Sequence, residues 1–386
     1  MKNIIDFLFA CIRQAICEDN EKISFPALMQ EQWEQLYRIS SIQDMAHIVG
    51  LAMEQREDDP SFEALPPVVK KKFEQQKNTA VYRYTNQEFA LAEIGEAFEA
   101  NKILYLPLKG SVLRAFYPEA WMRTSGDIDI LIREQDFDRA KEILMTQCRF
   151  TYSSKDKKDA SFFRDECVHL ELHTNLVRDD SVKRLCPAYI WEHVERDGYA
   201  CRMSDEDFYM YHVEHMKNHY LTGGCGVRFF TDLWILNHIP EKNREKRAEA
   251  LRQCGLWKFE RAAVHLSEVW LGEAEHTDLT KRMERYILSS GVYGSIENWA
   301  LVQEVQSKGK IKSVWHRLWL PYESLCWAYP ALEGRRWMQP YYEWKRFAKM
   351  IREGRWHRSV EELKANRTVS KAQKEMTKQM LKELGL

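Results

Sequence analysis

The chain has 386 residues, 45% of them hydrophobic, a length that predicts two or three domains with ample material for packed cores. Its net charge of −1 hides an asymmetry: residues 307–386 carry 18 Lys+Arg against 8 Asp+Glu, and the preceding residues carry 39 against 50. The acidic part is not built to hold bare nucleic acid, whereas the basic end can meet an anionic partner. Nine cysteines, scattered and never in C-x-x-C spacing, exclude a disulfide framework or zinc ribbon and point to a reducing cytoplasm.

Residues 1–100 read as wholly helical. Ile5, Leu8, Phe9, Ile12 and Ile16 recur at helical spacing, interrupted by Asp6 and Arg13. That pattern predicts an amphipathic helix rather than a signal peptide. Breaks fall near Ser24-Phe25-Pro26 and Asp58-Asp59-Pro60, and a long helix runs through Tyr84 to Ala100. No apolar run approaches the roughly 18 residues of a membrane span.

Sheet-forming sequence is confined to about 101–177. Ile103 to Leu108 reads as a short buried strand that runs into Lys109-Gly110-Ser111 and a helical stretch from Val112 to Tyr117. A strand–Gly-Ser–helix junction aims backbone N–H groups at an anion and suits phosphate. Next comes Asp127-Ile128-Asp129-Ile130-Leu131-Ile132, with strand composition. Alternation puts Asp127 and Asp129 on one face and the isoleucines on the other. Two neighbouring carboxylates repel each other, so the pair gains a purpose only with a hard divalent cation. A helix over Glu134–Met145 follows, then a hairpin between 148–153 and 161–173 with the polar run from Ser153 to Asp159 as its turn. In Val168-His169-Leu170-Glu171-Leu172-His173 the leucines face inward, and His169, Glu171 and His173 share the polar face.

From Val182 onward the chain reads as helical, with breaks at Gly223-Gly224, Gly226 and Ile239-Pro240. The expected fold class is α+β: a small mixed β-sheet surrounded by N- and C-terminal helical regions. It divides into 1–100 (helical), 101–180 (sheet core), 181–306 (helices lining a cleft) and 307–386 (basic, aromatic-rich helices). His212, His215 and His219 stand at i, i+3 and i+7 on one helix face. They lack the i, i+4 pair of zincins and a fourth ligand, so packing or hydrogen bonding against the sheet is expected ahead of zinc. Arg228 and Asp232, at i and i+4, read either as an ion pair or as groups orienting a substrate. The C-terminal stretch combines Trp315, Trp319, Trp327, Trp337, Trp344 and Trp356 with many Lys and Arg residues. Its aromatics either pack on the domain, the favoured reading, or lie on an anionic partner or membrane surface. The tail beyond Glu361 reads as an exposed, partly disordered helix.

Taken together, Leu108, Gly110 and Ser111, then Asp127-x-Asp129 in a strand and Glu171 in a later strand resemble the nucleotidyltransferase superfamily with the DNA polymerase beta-like fold. The wider wording is similar to a little-characterised bacterial branch of it: Leu-Lys-Gly, Tyr117-Pro118, Arg123 before Gly126-Asp127, and Glu171-Leu172-His173. Two departures stand out: Lys109 lies between strand and glycine, and the third acid is Glu rather than Asp. The resemblance implies a metal-dependent enzyme, transferring a nucleoside monophosphate from an NTP, expected to be ATP, to a hydroxyl-bearing acceptor. Asp127, Asp129 and Glu171 would bind Mg2+, with Mn2+ as a substitute. Lys109, Gly110, Ser111 and Arg123 would take the nucleotide phosphates, Arg as a bidentate group and Lys as a point charge. His173, His212, His215, His219, Arg228 and Asp232 are expected around the acceptor. Asp129→Asn is expected to leave the fold intact, as a substitution of an exposed cleft carboxylate. The alternative is a non-catalytic nucleotide-binding or regulatory module of the same fold, such as a toxin–antitoxin or biosynthetic-cluster partner.

Overall fold

The structure is a computed structural model and describes residues 2–17, 25–56, 59–63, 65–155, 159–165, 168–176, 182–239, 243–292, 294–306, 319–320, 322, 325–326, 329–352 and 371–386. Helices α1 (Lys2–Ile16), α2 (Gln30–Ile42), α3 (Ala46–Gln55) and α4 (Pro67–Ala100) lie within the first hundred residues. Of the expected stripe on α1, Leu8, Phe9, Ile12 and Ile16 are buried, whereas Ile5 is half-buried and Ile4 takes the buried position beside it. Helix α4 opens with Pro67 at its first position, where a missing N–H costs nothing.

A seven-stranded mixed sheet follows, in the order β3-β4-β5-β2-β1-β7-β6. Its strands are β1 (Tyr105–Pro107), β2 (Ile128–Ile132), β3 (Thr151–Lys155), β4 (Asp159–Arg164), β5 (Val168–His173), β6 (Glu195–Asp197) and β7 (Ala200–Arg202). Two short helices, α5 (Gly110–Leu113) and α6 (Phe137–Thr146), interrupt them. The structure corrects the expected hairpin. Residues 161–173 are not one strand but β4 and β5, which reverse around Asp165 at φ +52°. It also extends the sheet past residue 177, because β6 and β7 form a further hairpin within the stretch expected to be helical.

The faces of this sheet differ sharply. Ile128, Ile130, Ile132, Leu170 and Leu172 pack on Ile94 and Phe98 of α4 and on Ile143 and Leu144 of α6. The opposite face carries Asp129, Glu171 and His173, flanked by Leu106, Leu108 and Leu131, which belong to the larger core shared with the helices. That core also takes in α7 (Pro187–His193), α8 (Asp205–Leu221), α9 (Val227–His238), α10 (Arg244–Gln253), α11 (Trp257–Leu271) and α12 (Asp278–Leu288). Helix α8 starts at Ser204, whose side chain accepts from the Asp207 N–H, and has Asp205, Glu206 and Asp207 in its first turn. It is buried nearly all round, from Phe208 to Tyr220. No described helix is long and apolar enough to cross a membrane.

The remaining helices are α13 (Ile296–Gln306), α14 (Gln339–Arg352) and α15 (Lys371–Leu384). The expectation of an exposed tail fails for α15. Met380, Leu381 and Leu384 are buried, and Arg282 pairs with Glu383 at 2.6 Å. The favoured packing of the C-terminal tryptophans fails for Trp337 and Trp344, 79% and 68% exposed, and Trp319 is 40% exposed. Trp315, Trp327, Trp356 and Pro240 lie outside the described residues.

Candidate functional site

Strands β2 and β5 run parallel, and their register sets Asp129 directly beside Glu171. Parallel partners project to the same side, so the two carboxylates stand together on the face away from α4. Asp127 precedes β2 on that same face. Ligand atoms of Asp127, His169 and Glu171 lie within 4.8 Å of one another, as do those of Asp129, Glu171 and His173. These are the two potential metal groups among the described residues, and the helical histidines form none. Burial first, and then the charge of Asp129, push the carboxyls of Asp127 and Glu171 above the ordinary range. A divalent cation would remove both penalties, so the donor set fits one.

Asp129 itself is 1% exposed, so it is not the exposed cleft carboxylate that was expected. Its Oδ1 accepts from Lys109 Nζ and from His173 Nε2, both at 2.7 Å. Burial opposes its ionisation, yet these two cations hold its carboxyl well below the usual range. Lys109 reaches it from a backbone at φ +44°, a region costly for a residue with a side chain. Leu108 N–H donates to Asp129 O at 2.9 Å and ties this bend to β2.

His173 also meets Asp159 through Nδ1 at 2.5 Å, its cross-strand neighbour in β4. Burial alone would lower its pKa, but the hydrogen bonds to Asp129 and Asp159 push it up to about 9. The folded value exceeds the ordinary 6.5, so protonation of His173 stabilises the fold fully below pH 6.5. That contribution fades as pH rises through 9. Urea unfolding in EDTA should therefore show His173→Gln well below the parent at pH 6 and nearly level with it at pH 9.5. A gap that does not change with pH would contradict the doubly bonded imidazolium.

Gly110 opens α5 against the back of this site. A Cβ there would fall 2.8 Å from both Cβ and Oγ of Ser125. Gly110→Ala should cost roughly 1–3 kcal/mol, as overpacking does. Ser125→Gly in the same chain should restore most of that loss in a urea melt, and no restoration would mean that the contact is elsewhere. Ser125 also donates to Asp127 Oδ1 at 3.2 Å. Ser111, by contrast, has a buried Oγ without a hydrogen-bond partner and is not part of the cavity wall.

The cavity above the carboxylates has a volume of about 230 Å³. Lys109, Gly110, Arg123, Asp127, Asp129 and Glu171 line it from the sheet side, and His212, His215, His219, Arg228, Phe229 and Tyr211 from α8 and α9. The structure thus brings the three histidines over the carboxylate face. Their rings surround Phe229 at centroid distances of 5.8, 5.7 and 5.2 Å. Burial lowers the pKa of His212 to about 4 and that of His215 well below normal, so both are uncharged at neutral pH. His212 Nε2 is buried without a partner.

Arg228 and Asp232 are not paired with each other. Arg228 donates to Asp44 Oδ2 at 2.6 Å and to Thr124 O at 3.0 Å. Asp232, fully buried, accepts from Arg123 Nε at 2.6 Å and Nη2 at 2.9 Å, and from the Tyr117 hydroxyl at 2.7 Å. These contacts, with Thr124 Oγ1 on Asp44 at 2.7 Å, clamp the loop that delivers Asp127 into place. Arg123 therefore touches the cavity with its guanidinium already committed to a carboxylate. The sequence reading missed Asp44, Ser125, Asp159 and Tyr211. Only Ser125 left a local signal, two residues before Asp127 and thus on the same side of an extended chain.

No curated protein and no solved structure matches the chain. A family described as uncharacterised nucleotidyltransferases matches residues 29–272, a span that contains the sheet, the carboxylates and helices α8 and α9. With that match across most of its length, the chain belongs to this nucleotidyltransferase family.

Proposed function

We propose that the protein is a metal-dependent enzyme that transfers a nucleoside monophosphate from a nucleoside triphosphate, ATP in our reading, to a hydroxyl-bearing acceptor. The observation that carries this reading is Asp129 in register beside Glu171, with Asp127 on the same face beneath a cavity. Asp127, Asp129 and Glu171 would hold Mg2+, or Mn2+ in its place. Bound there, the ions would neutralise the triphosphate and the departing pyrophosphate, as in-line displacement requires.

The chain's own groups supply position and charge, which dominate phosphoryl transfer. Lys109 keeps Asp129 ionised and is the cavity-lining cation nearest the carboxylates, suited to a phosphate oxygen. Gly110 lets the backbone come close to the phosphates. Ser111 is the less suited partner, and Ser125 the better one, because Ser125 lines the cavity. Arg123 acts through Asp232 by fixing the loop before Asp127. Glu171, with its raised pKa, is placed to accept the proton of the acceptor hydroxyl. His212, His215 and His219, two of them neutral by burial, form a wall suited to a polar acceptor without strong charge. The scattered spacing of the cysteines, never C-x-x-C, favours a reducing cytoplasm in our reading. For the basic end we propose an anionic partner or membrane surface, supported by exposed Trp337 and Trp344 beside Lys345 and Arg346.

The test is an incubation of labelled nucleoside triphosphates and Mg2+ with small-molecule, RNA and protein acceptors. Label transfer that EDTA abolishes is the expected result. Nucleotide binding without transfer to any acceptor would favour the non-catalytic module instead.

A further inference from the structure

A second cavity, of about 370 Å³, lies among α8, α9, α10 and α11 and shares no lining residue with the first. Its size is at the lower end of small-molecule sites. Glu260 lines it while only 6% exposed. One carboxylate oxygen, Oε1, accepts from the Tyr209 hydroxyl at 2.7 Å. The other, Oε2, is buried and has no hydrogen-bond partner. The two polar groups packed against it are already engaged. The Tyr209 hydroxyl is used on Oε1 and accepts from Asn237 Nδ2 at 2.8 Å. Arg247 spends its guanidinium on Asp205, through two bonds of 2.7 Å, and on Leu236 O at 2.8 Å.

Buried polar atoms are nearly always paired, so a carboxylate at a cavity wall with one oxygen unpartnered asks for a further donor. An ammonium group meets that demand best, since it donates and carries the opposite charge. The exposed lining residues add a second demand. Arg244 and Arg261 contribute positive charge, with the Trp257 ring beneath Arg261 at 5.7 Å. Glu268, the other acid of the lining, already faces His238 at 3.6 Å. A bare cation would be repelled by these arginines, and a bare anion would have to meet Glu260. A molecule with both charges satisfies floor and rim together.

We propose that this cavity binds a small zwitterion, its ammonium at the Glu260 carboxylate and its carboxylate at Arg244 and Arg261. Titration calorimetry on the full chain tests this with 6-aminohexanoate, hexylamine and hexanoate. The zwitterion should bind, with each half-probe weaker by about tenfold or more, the scale of one lost charged hydrogen bond. Glu260→Gln keeps an acceptor for Tyr209 and should fold normally by circular dichroism, yet lose the zwitterion. Arg261→Gln, at an exposed position, should weaken the zwitterion and leave hexylamine unaffected or improved. No heat from 6-aminohexanoate up to about 10 mM, a range that detects even millimolar sites, would overturn the proposal. So would equal binding of either half-probe, which would make the cavity a simple cation or anion site, or binding that survives Glu260→Gln.

Discussion

Asp127→Asn should abolish Mg2+-dependent transfer while leaving the protein as stable as before or slightly more so. Loss of one metal-binding carboxylate removes several kcal/mol of transition-state stabilisation, a fall of roughly a thousandfold or more. The stability side follows from the opposite sign of the local electrostatics. Burial and the neighbouring Asp129 already disfavour the charge on Asp127, so a neutral amide relieves the fold of a penalty. Asp129→Asn should lose the same activity but also destabilise, because Lys109 and His173 both lean on that carboxylate. Removing one partner of a fully buried pair costs about 3–5 kcal/mol. Here the loss should be nearer 2–3 kcal/mol, since Lys109 keeps 22% of its side chain exposed and the amide oxygen still accepts. Paired urea melts and transfer assays separate the two variants. Equal stabilities would mean that Asp129 is not the electrostatic anchor of the site, and full activity in either would remove it from the chemistry.

How much of this could be read in the sequence depends on how far each feature reaches along the chain. Strand β2 and its carboxylates were legible because alternation is a local property of six residues. The pairing of Asp129 with Glu171 needed the register between two parallel strands, which lies outside any local pattern. Strands β6 and β7 were invisible for another reason. They have three residues each, and β6 is exposed throughout, so no apolar alternation marks them. Helix α15 is the reverse case: Thr377, Met380, Leu381 and Leu384 are buried at i, i+3, i+4 and i+7, a stripe that signalled docking, although the surrounding lysines suggested exposure. Charge was the least legible property. Arg123 read as a phosphate cation because its type and position suit one, and nothing near it announces that Asp232, 109 residues away, occupies its guanidinium.

That pair gives the largest stability effect expected in the molecule. Asp232→Ala would strand Arg123, 5% exposed, and take the acceptor from the Tyr117 hydroxyl, for a loss of about 3–5 kcal/mol. Because desolvation offsets much of the attraction in such a pair, replacing both partners with apolar residues of similar size should recover most of the stability. Arg123→Met with Asp232→Leu is the variant to make. It should melt close to the parent and still transfer nucleotide about a hundredfold more slowly, the scale of a small misplacement of a reacting group. The reason is geometric: the ion pair fixes the loop whose far end presents Asp127, and methionine against leucine fills the space without fixing an angle. Retained activity in a stable double variant would reduce the clamp to a packing element. Loss of stability in the double variant as large as in Asp232→Ala would mean that the surrounding cavity cannot accept apolar groups, and that Tyr117 rather than Arg123 dominates the cost.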